Sequence, residues 1–101
     1  MGSKDGYHWD NAKSELLKRV RKYSLEEIVD RVFLSGLEYM IRENRAYPGQ
    51  FKVISVIDDR VLVIICEDIN DGFGYFTRLF TYWDAERKDM ADYKRARDGK
   101  R

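Results

Sequence analysis

The stretch FKVISVIDDRVLVIICE, residues 51–67, predicts a β-hairpin at the centre of the fold. Two runs rich in β-branched residues, 51–57 and 61–67, flank the short polar connection Asp58-Asp59-Arg60. This pattern is typical of two antiparallel strands joined by a tight turn. Because both runs are apolar almost throughout, we expect two central strands whose faces are both covered by other parts of the chain.

Downstream of the hairpin, the sequence predicts one more strand and one helix. Residues 68–74 contain two glycines and are typical of a loop, whereas residues 75–83 form a third long run with strand character. Asp84 is a candidate N-cap for a last helix over residues 85–97, whose apolar face is thin.

Upstream of the hairpin, the sequence predicts two helices. The first covers residues 11–22, where apolar side chains recur at helical spacing after an Asp10 or Asn11 cap. The second begins at the capping box Ser24-Leu25-Glu26-Glu27 and ends at Ser35-Gly36.

Together these elements predict an α+β fold with two N-terminal helices, an antiparallel sheet of three to four strands and a C-terminal helix. The helices are expected to cover mainly one face of the sheet. Residues 37–42 are favoured as a strand, and residues 8–10 are a candidate edge strand. We expect a disordered start or expression remnant at residues 1–5, a single domain over residues 6–97 and a basic tail at residues 98–101.

The composition excludes several classes of site. The 101 residues include one histidine and one cysteine. These counts exclude a two-histidine acid–base pair, a histidine-rich metal site, an intramolecular disulfide and a cysteine-based zinc site. No apolar run approaches the roughly 18 residues of a membrane span, so we expect no membrane segment. The single cysteine fits a reducing, intracellular setting, and we expect a cytoplasmic protein without a cofactor. His8 is expected at the surface, and Cys66 is expected to be a buried structural thiol.

Charge favours a functional site only through local clustering. The 19 basic and 18 acidic residues give a net charge of +1, which indicates neither a nucleic-acid partner nor its absence. Polar groups do interrupt the apolar strands, and the candidates for contact with RNA are Arg45, Lys52, Arg60 and Tyr82.

Arg78 is the most informative of the polar interruptions. Strand alternation places it on one face with three aromatic residues: Phe76, Phe80 and Tyr82. A cation among aromatic rings suits RNA, whose bases stack and whose phosphates pair with guanidinium groups. The alternative is that these rings belong to the core and that Arg78 forms an ion pair with Glu67 on a neighbouring strand.

Several short motifs follow one another along the chain. They are W-D-x-x-K from Trp9, S-L-E-E at residues 24–27, the hairpin at residues 57–63, and R-L-F-T at residues 78–81 followed by Ala85 and Tyr93. In this order they resemble the BrnT-like toxins of bacterial toxin–antitoxin modules, which belong to the RelE-type ribonuclease superfamily. The likeness spans roughly residues 7–93, and Tyr47-Pro48-Gly49-Gln50 resembles a related subgroup.

The resemblance implies an endoribonuclease that cuts mRNA without a metal and uses the RNA 2′-hydroxyl as its internal nucleophile. By position it implies that Arg78 binds the phosphate and that Glu67 is the catalytic base. It also implies a cognate antitoxin, often a DNA-binding repressor, as the partner. An oligomer would then form through the antitoxin or through the last helix.

Three positions depart from the family pattern. Arg21 stands where a histidine is usual, and Asp68 and Trp83 stand where arginines are usual. The alternative function is therefore a non-enzymatic binding or regulatory protein, of phage or plasmid type, that keeps the fold without the catalytic positions.

Overall fold

The structure, a computed structural model, describes residues 1–35 and 39–98, with side chains described as far as Arg95. Within these residues the chain has the predicted α+β class, with one six-stranded mixed sheet and three helices. The strands are β1 (Gly2–Lys4), β2 (Tyr7–Trp9), β3 (Tyr39–Glu43), β4 (Gln50–Ile57), β5 (Arg60–Asn70) and β6 (Tyr75–Asp84). Their order in the sheet is β1-β2-β6-β5-β4-β3.

The predicted antiparallel sheet of three to four strands is wrong in strand number and in pairing. β2 lies inside the sheet, antiparallel to β1 and parallel to β6. The predicted edge strand at residues 8–10 is therefore an internal strand. Strands of three residues are too short to show a period-two pattern, which is why the sequence did not reveal this hairpin.

Close packing holds β1 in place, over residues that the sequence analysis assigned to a disordered start. A Cβ atom on Gly2 would lie 2.1 Å from Nε1 of Trp9, so the glycine backbone rests directly on the indole ring. The turn to β2 uses positive φ angles at Asp5 and Gly6. The Gly6 carbonyl accepts a hydrogen bond of 2.9 Å from the Thr77 N–H, which links this turn to β6.

The first helix, α1 (Asn11–Arg21), begins as predicted at an Asp10 cap whose side chain accepts from the Lys13 N–H. The second, α2 (Leu25–Ile28), has the predicted capping box of Ser24 and Glu27. Its continuation departs from the prediction, because Val29–Leu34 is π-helical. The last helix is α3 (Arg87–Asp98), and residues 99–101 of the predicted basic tail lie outside the described residues.

The central hairpin is confirmed. β4 and β5 pair antiparallel from Ile57↔Arg60 to Gln50↔Glu67. Asp58 and Asp59 form the two-residue turn with φ angles of 50° and 66°, the left-handed geometry that suits tight hairpins.

The sheet divides the apolar residues into two cores. The larger core lies between the sheet and the helices α1 and α2, and contains Leu17, Ile28 and Leu62. The smaller core lies on the opposite face, where Tyr93 of α3 packs against the group that contains Val63 and Ile65. Both faces of the central hairpin are thus covered, as expected, but α3 covers only part of the second face.

Candidate functional site

A row of polar residues crosses five adjacent strands of the sheet. The strand register pairs Gln50 with Glu67, Glu67 with Arg78, Arg78 with His8, and His8 with Ser3. All except the exposed Ser3 are half-buried. We call Glu67, Arg78 and His8, the three residues of this set with ionisable side chains, the polar row.

The polar row lies on the sheet face that carries α3, outside the smaller core. Glu67 follows Val63 and Ile65 of the smaller core at two-residue intervals, so its side chain points to the same face. The ring of His8 stacks on Phe76, which is two residues from Arg78 on β6. The three ionisable side chains therefore share one face.

The register sets the spacing within the polar row. Neighbouring strands lie about 4.8 Å apart, so the Cα atoms of Glu67 and His8 are separated by roughly 10 Å, with Arg78 between them. A carboxylate, a guanidinium and an imidazole in this order can hold an anion at the centre and exchange protons on either side of it.

The ionisable groups of the polar row have no ionic partner among the described residues. Glu67 and Arg78 stand directly opposite each other, yet no salt bridge joins them, so the ion pair proposed as an alternative does not form. Oε1 of Glu67 instead lies 3.5 Å from the place that a Cβ on Gly49 would take. The Arg78 guanidinium lies 5.4 Å from the centroid of the Phe80 ring.

Many other charged side chains of the molecule, in contrast, form ion pairs. Lys4 pairs with Asp30, Lys18 with Glu27, Arg31 with Asp58, and Arg60 with Asp84. The half-buried charges of the polar row, like that of the half-buried Lys52, are therefore available to a ligand.

His8 is the member of the polar row that sequence analysis missed. Its ring lies nearly parallel to Phe76, at 16° and with 4.1 Å between the ring centroids. The parallel pairing of β2 with β6 brings it beside Arg78, although 70 positions separate the two residues along the chain. The motif at Trp9-Asp10 predicts that a helix starts shortly after His8. No local sequence pattern predicts that the strand of His8 pairs in parallel with a distant strand.

Two of the predicted RNA-contacting residues lie near the polar row without joining it. Lys52 is two residues from Gln50 on β4 and so points to the same face. With Arg45 it lines a groove of about 720 Å³ between the β3–β4 connection and α3. The groove as a whole balances in charge, because the other lining residues are two cations and four acids: Arg42, Lys88, Glu43, Glu86, Asp89 and Asp92, with the uncharged Asn44 and Ala46.

Arg60 lies elsewhere, at the hairpin end of the sheet. Its guanidinium makes two hydrogen bonds to the Asp84 carboxylate, of 3.0 and 3.1 Å, and a third to the Arg21 carbonyl. The contact with Asp84 raises the pKa of Arg60 above its ordinary value. The structure therefore gives Arg60 a role in joining α1 to the sheet.

Tyr82 is corrected by the structure from an RNA-contacting residue to a core residue. Its side chain is 0% exposed, and its hydroxyl donates to the Tyr23 carbonyl at 2.7 Å and accepts from the Tyr23 N–H at 2.9 Å. Burial raises the pKa of this phenol. A ligand in solution cannot reach it.

A β-bulge explains the error about Tyr82. Ile65 pairs with Thr81 and Cys66 pairs with Leu79, so Phe80 is an extra residue on β6. One extra residue reverses the alternation of the side chains that follow. Tyr82 therefore lies on the α1 face, whereas Phe76 and Arg78 lie on the α3 face.

The three residues that depart from the BrnT-like pattern all take part in fold contacts. The Arg21 guanidinium donates to the Tyr82 carbonyl, and Asp68 accepts a hydrogen bond of 2.7 Å from the Thr77 hydroxyl. Trp83 packs in the smaller core. None of the three belongs to the polar row.

Other kinds of site find little support within the described residues. Cys66 is fully buried as expected, and burial raises the pKa of its thiol to about 12, which leaves it unreactive. In the same part of the chain, no three His, Cys, Asp or Glu side chains are grouped so that they could hold a metal ion. Nor is any helix there long and apolar enough to cross a membrane.

Comparisons of the chain with protein-family models, with curated proteins and with solved structures found no match.

Proposed function

We propose that the polar row binds single-stranded RNA and cleaves it without a metal ion. The observation that supports this most strongly is the order carboxylate, guanidinium, imidazole across three adjacent strands, with all three groups free of ionic partners among the described residues. The stacked rings of His8 and Phe76 add an aromatic surface beside the phosphate position, on which a base can stack.

In the proposed reaction Glu67 takes the proton of the RNA 2′-hydroxyl. The 2′-oxygen attacks phosphorus, and the bond from phosphorus to the 5′-oxygen breaks. His8 gives a proton to the leaving 5′-oxygen. Arg78 offsets the negative charge of the phosphorane. The products are a 2′,3′-cyclic phosphate and a 5′-hydroxyl, and exchange with water restores both side chains.

Cleavage of a labelled single-stranded RNA by the purified protein tests this reaction. We expect the RNA to be cut and the all-deoxy strand of the same sequence to stay intact. Arg78→Ala, Glu67→Gln and His8→Ala should each lower the rate by about 10²- to 10⁴-fold. Arg19→Ala is the matched control, because Arg19 is exposed on α1 at the other face, and it should cut at the wild-type rate.

Equal cutting of DNA and RNA, or variants of the polar row that cut as fast as the wild type, would contradict the proposed reaction. Cleavage that is lost when EDTA is added would contradict its independence of metal.

We place this activity in the toxin component of a toxin–antitoxin module, held inactive by a cognate antitoxin. The support is the resemblance of the motif order to BrnT-like toxins. Induction in a bacterial host should arrest growth, and Arg78→Ala should relieve the arrest. Unchanged growth with soluble wild-type protein would argue against the toxin role, while leaving cleavage in vitro as a separate result.

A second candidate is a binding protein of the same fold that does not cleave. The observation that favours it concerns the three positions that depart from the BrnT-like pattern. Arg21, Asp68 and Trp83 all make contacts within the fold, so none of them adds a cation to the polar row. A gel-shift experiment selects between the two functions. Binding of RNA by the wild type but not by Arg78→Ala, without any cleavage of the RNA, would favour the binding protein.

A further inference from the structure

Strand β3 ends the described sheet, and its outer edge has no partner strand among the described residues. The Asn44 N–H donates to the Gln50 carbonyl at 3.1 Å, so the backbone groups of Asn44 point towards β4. These directions alternate along a strand. The backbone N–H and C=O groups of Arg42 and Met40 therefore also point towards β4. Those of Tyr39, Ile41 and Glu43 point outward.

Apolar side chains accompany this free edge. Ile41 is 57% exposed and Tyr39 is 41% exposed, and both lie on the face that carries α2. The ring of Tyr39 contacts Phe33 at 5.5 Å, and the neighbouring Leu34 is 38% exposed. An edge strand with exposed apolar side chains is a template for pairing with another strand.

We propose that β3 pairs with β3 of a second copy of this chain, antiparallel, about a twofold axis at Ile41. Ile41 then stands opposite Ile41 of the other copy, and Tyr39 stands opposite Glu43. All three outward residues of each copy exchange backbone hydrogen bonds. The two sheets become one continuous sheet, with both copies of α2 on the same face.

The residues of β3 select this register. A shift that places Ile41 opposite Glu43 also places Arg42 opposite Arg42, and like charges directly opposite are unfavourable. A shift in the other direction pairs only residues 39–41 of β3 and takes Glu43 out of the paired part of the strand. In the proposed register Arg42 faces Met40, and the Tyr39 hydroxyl lies within reach of the Glu43 carboxylate. This fit of the strand to itself is the reason to name a second copy as the occupant.

Five residues of strand edge make a small interface, so we expect a weak dimer whose population rises with concentration. Sedimentation from roughly 5 to 500 µM should show the average mass rise from monomer towards dimer. Ile41→Glu should remain monomeric throughout. Val20→Glu, which changes a residue of similar exposure on α1, should dimerise like the wild type. Circular dichroism checks that each variant is folded.

A monomer at every concentration, dissociation by Val20→Glu as well, or growth beyond the dimer would each overturn the proposal. Ile41→Cys gives a second test, because residues opposite each other in a hydrogen-bonded pair have Cα atoms about 5.5 Å apart, within disulfide range. Mild oxidation should link Ile41→Cys into dimers and leave Val20→Cys monomeric, since the native Cys66 is buried. Absence of the link in folded protein, or equal linking of both variants, would also overturn it.

Discussion

Arg78 holds a half-buried guanidinium at the centre of the sheet without a carboxylate partner among the described residues. Its contact is the face of Phe80, and Glu67 lies opposite without closing a salt bridge. A charge held this way forgoes the stabilisation that an ion pair gives and stays available to an anionic ligand. Tyr82 shows the opposite case, because its polar atom is fully used by the fold.

At this scale we predict that Tyr82→Phe lowers the free energy of unfolding by about 1–3 kcal/mol, because the buried Tyr23 N–H and carbonyl lose their partner. Urea unfolding measures the change. Tyr75→Phe is the matched control, since Tyr75 is 80% exposed, and it should have no measurable effect. An equal effect of the two substitutions would contradict the role given to the Tyr82 hydroxyl.

The elements differ in how far their sequence determines them. The caps at Asp10 and Ser24 and the β4–β5 hairpin follow from local patterns, and all three are confirmed. The β1–β2 hairpin, the parallel pairing of β2 and the bulge at Phe80 depend on contacts between distant parts of the chain. These non-local features decide which side chains join the polar row, so the sequence named Glu67 and Arg78 as candidates but indicated neither their spacing nor the place of His8 beside them.

The turn of the central hairpin gives the prediction at the scale of elements. Asp59 has a φ angle of 66°, which glycine adopts without strain. Asp59→Gly should therefore raise the free energy of unfolding by about 0.5–1 kcal/mol. Asp58→Gly should lower the free energy of unfolding, because it removes the carboxylate that binds Arg31 and Tyr23. Thermal melts of the two variants and the wild type measure both changes. A loss of stability with Asp59→Gly would show that this turn needs the aspartate.

On the scale of the whole molecule, ion pairs and the larger core join the helices to the sheet on one face. Asp58 in the hairpin turn binds Arg31 after α2, with hydrogen bonds of 2.8 and 3.0 Å, and accepts a third of 2.6 Å from the Tyr23 hydroxyl. The opposite face carries α3 over one part and the polar row over another. The ion pairs that hold the helices α1 and α2 and the hairpin turn together thus lie on the face opposite to the polar row.

The contacts of Asp58 predict that the stability of the fold depends on pH. The Arg31 contact, followed by that of Tyr23, holds the pKa of the Asp58 carboxyl well below its usual range. The stabilisation is complete above the ordinary value of 3.8 and disappears as the pH falls through the lowered pKa of the folded chain. Asp58→Asn should therefore be less stable than the wild type at neutral pH, and the gap should narrow below pH 3.8.

Urea unfolding across this range measures the gap, and the exposed Glu15→Gln should show none at any pH. A gap between Asp58→Asn and the wild type that stays constant in acid would contradict the assignment.

The proposed function requires that RNA binds on the polar row and not on α1, whose last turn carries the basic residues Lys18, Arg19 and Arg21. Mapping of backbone amide chemical shifts during titration with a single-stranded RNA tests it most directly. We expect the largest shifts at Glu67, Arg78 and His8, with none at Arg19 or Arg60. Shifts centred on α1, or a spectrum that RNA leaves unchanged, would contradict it.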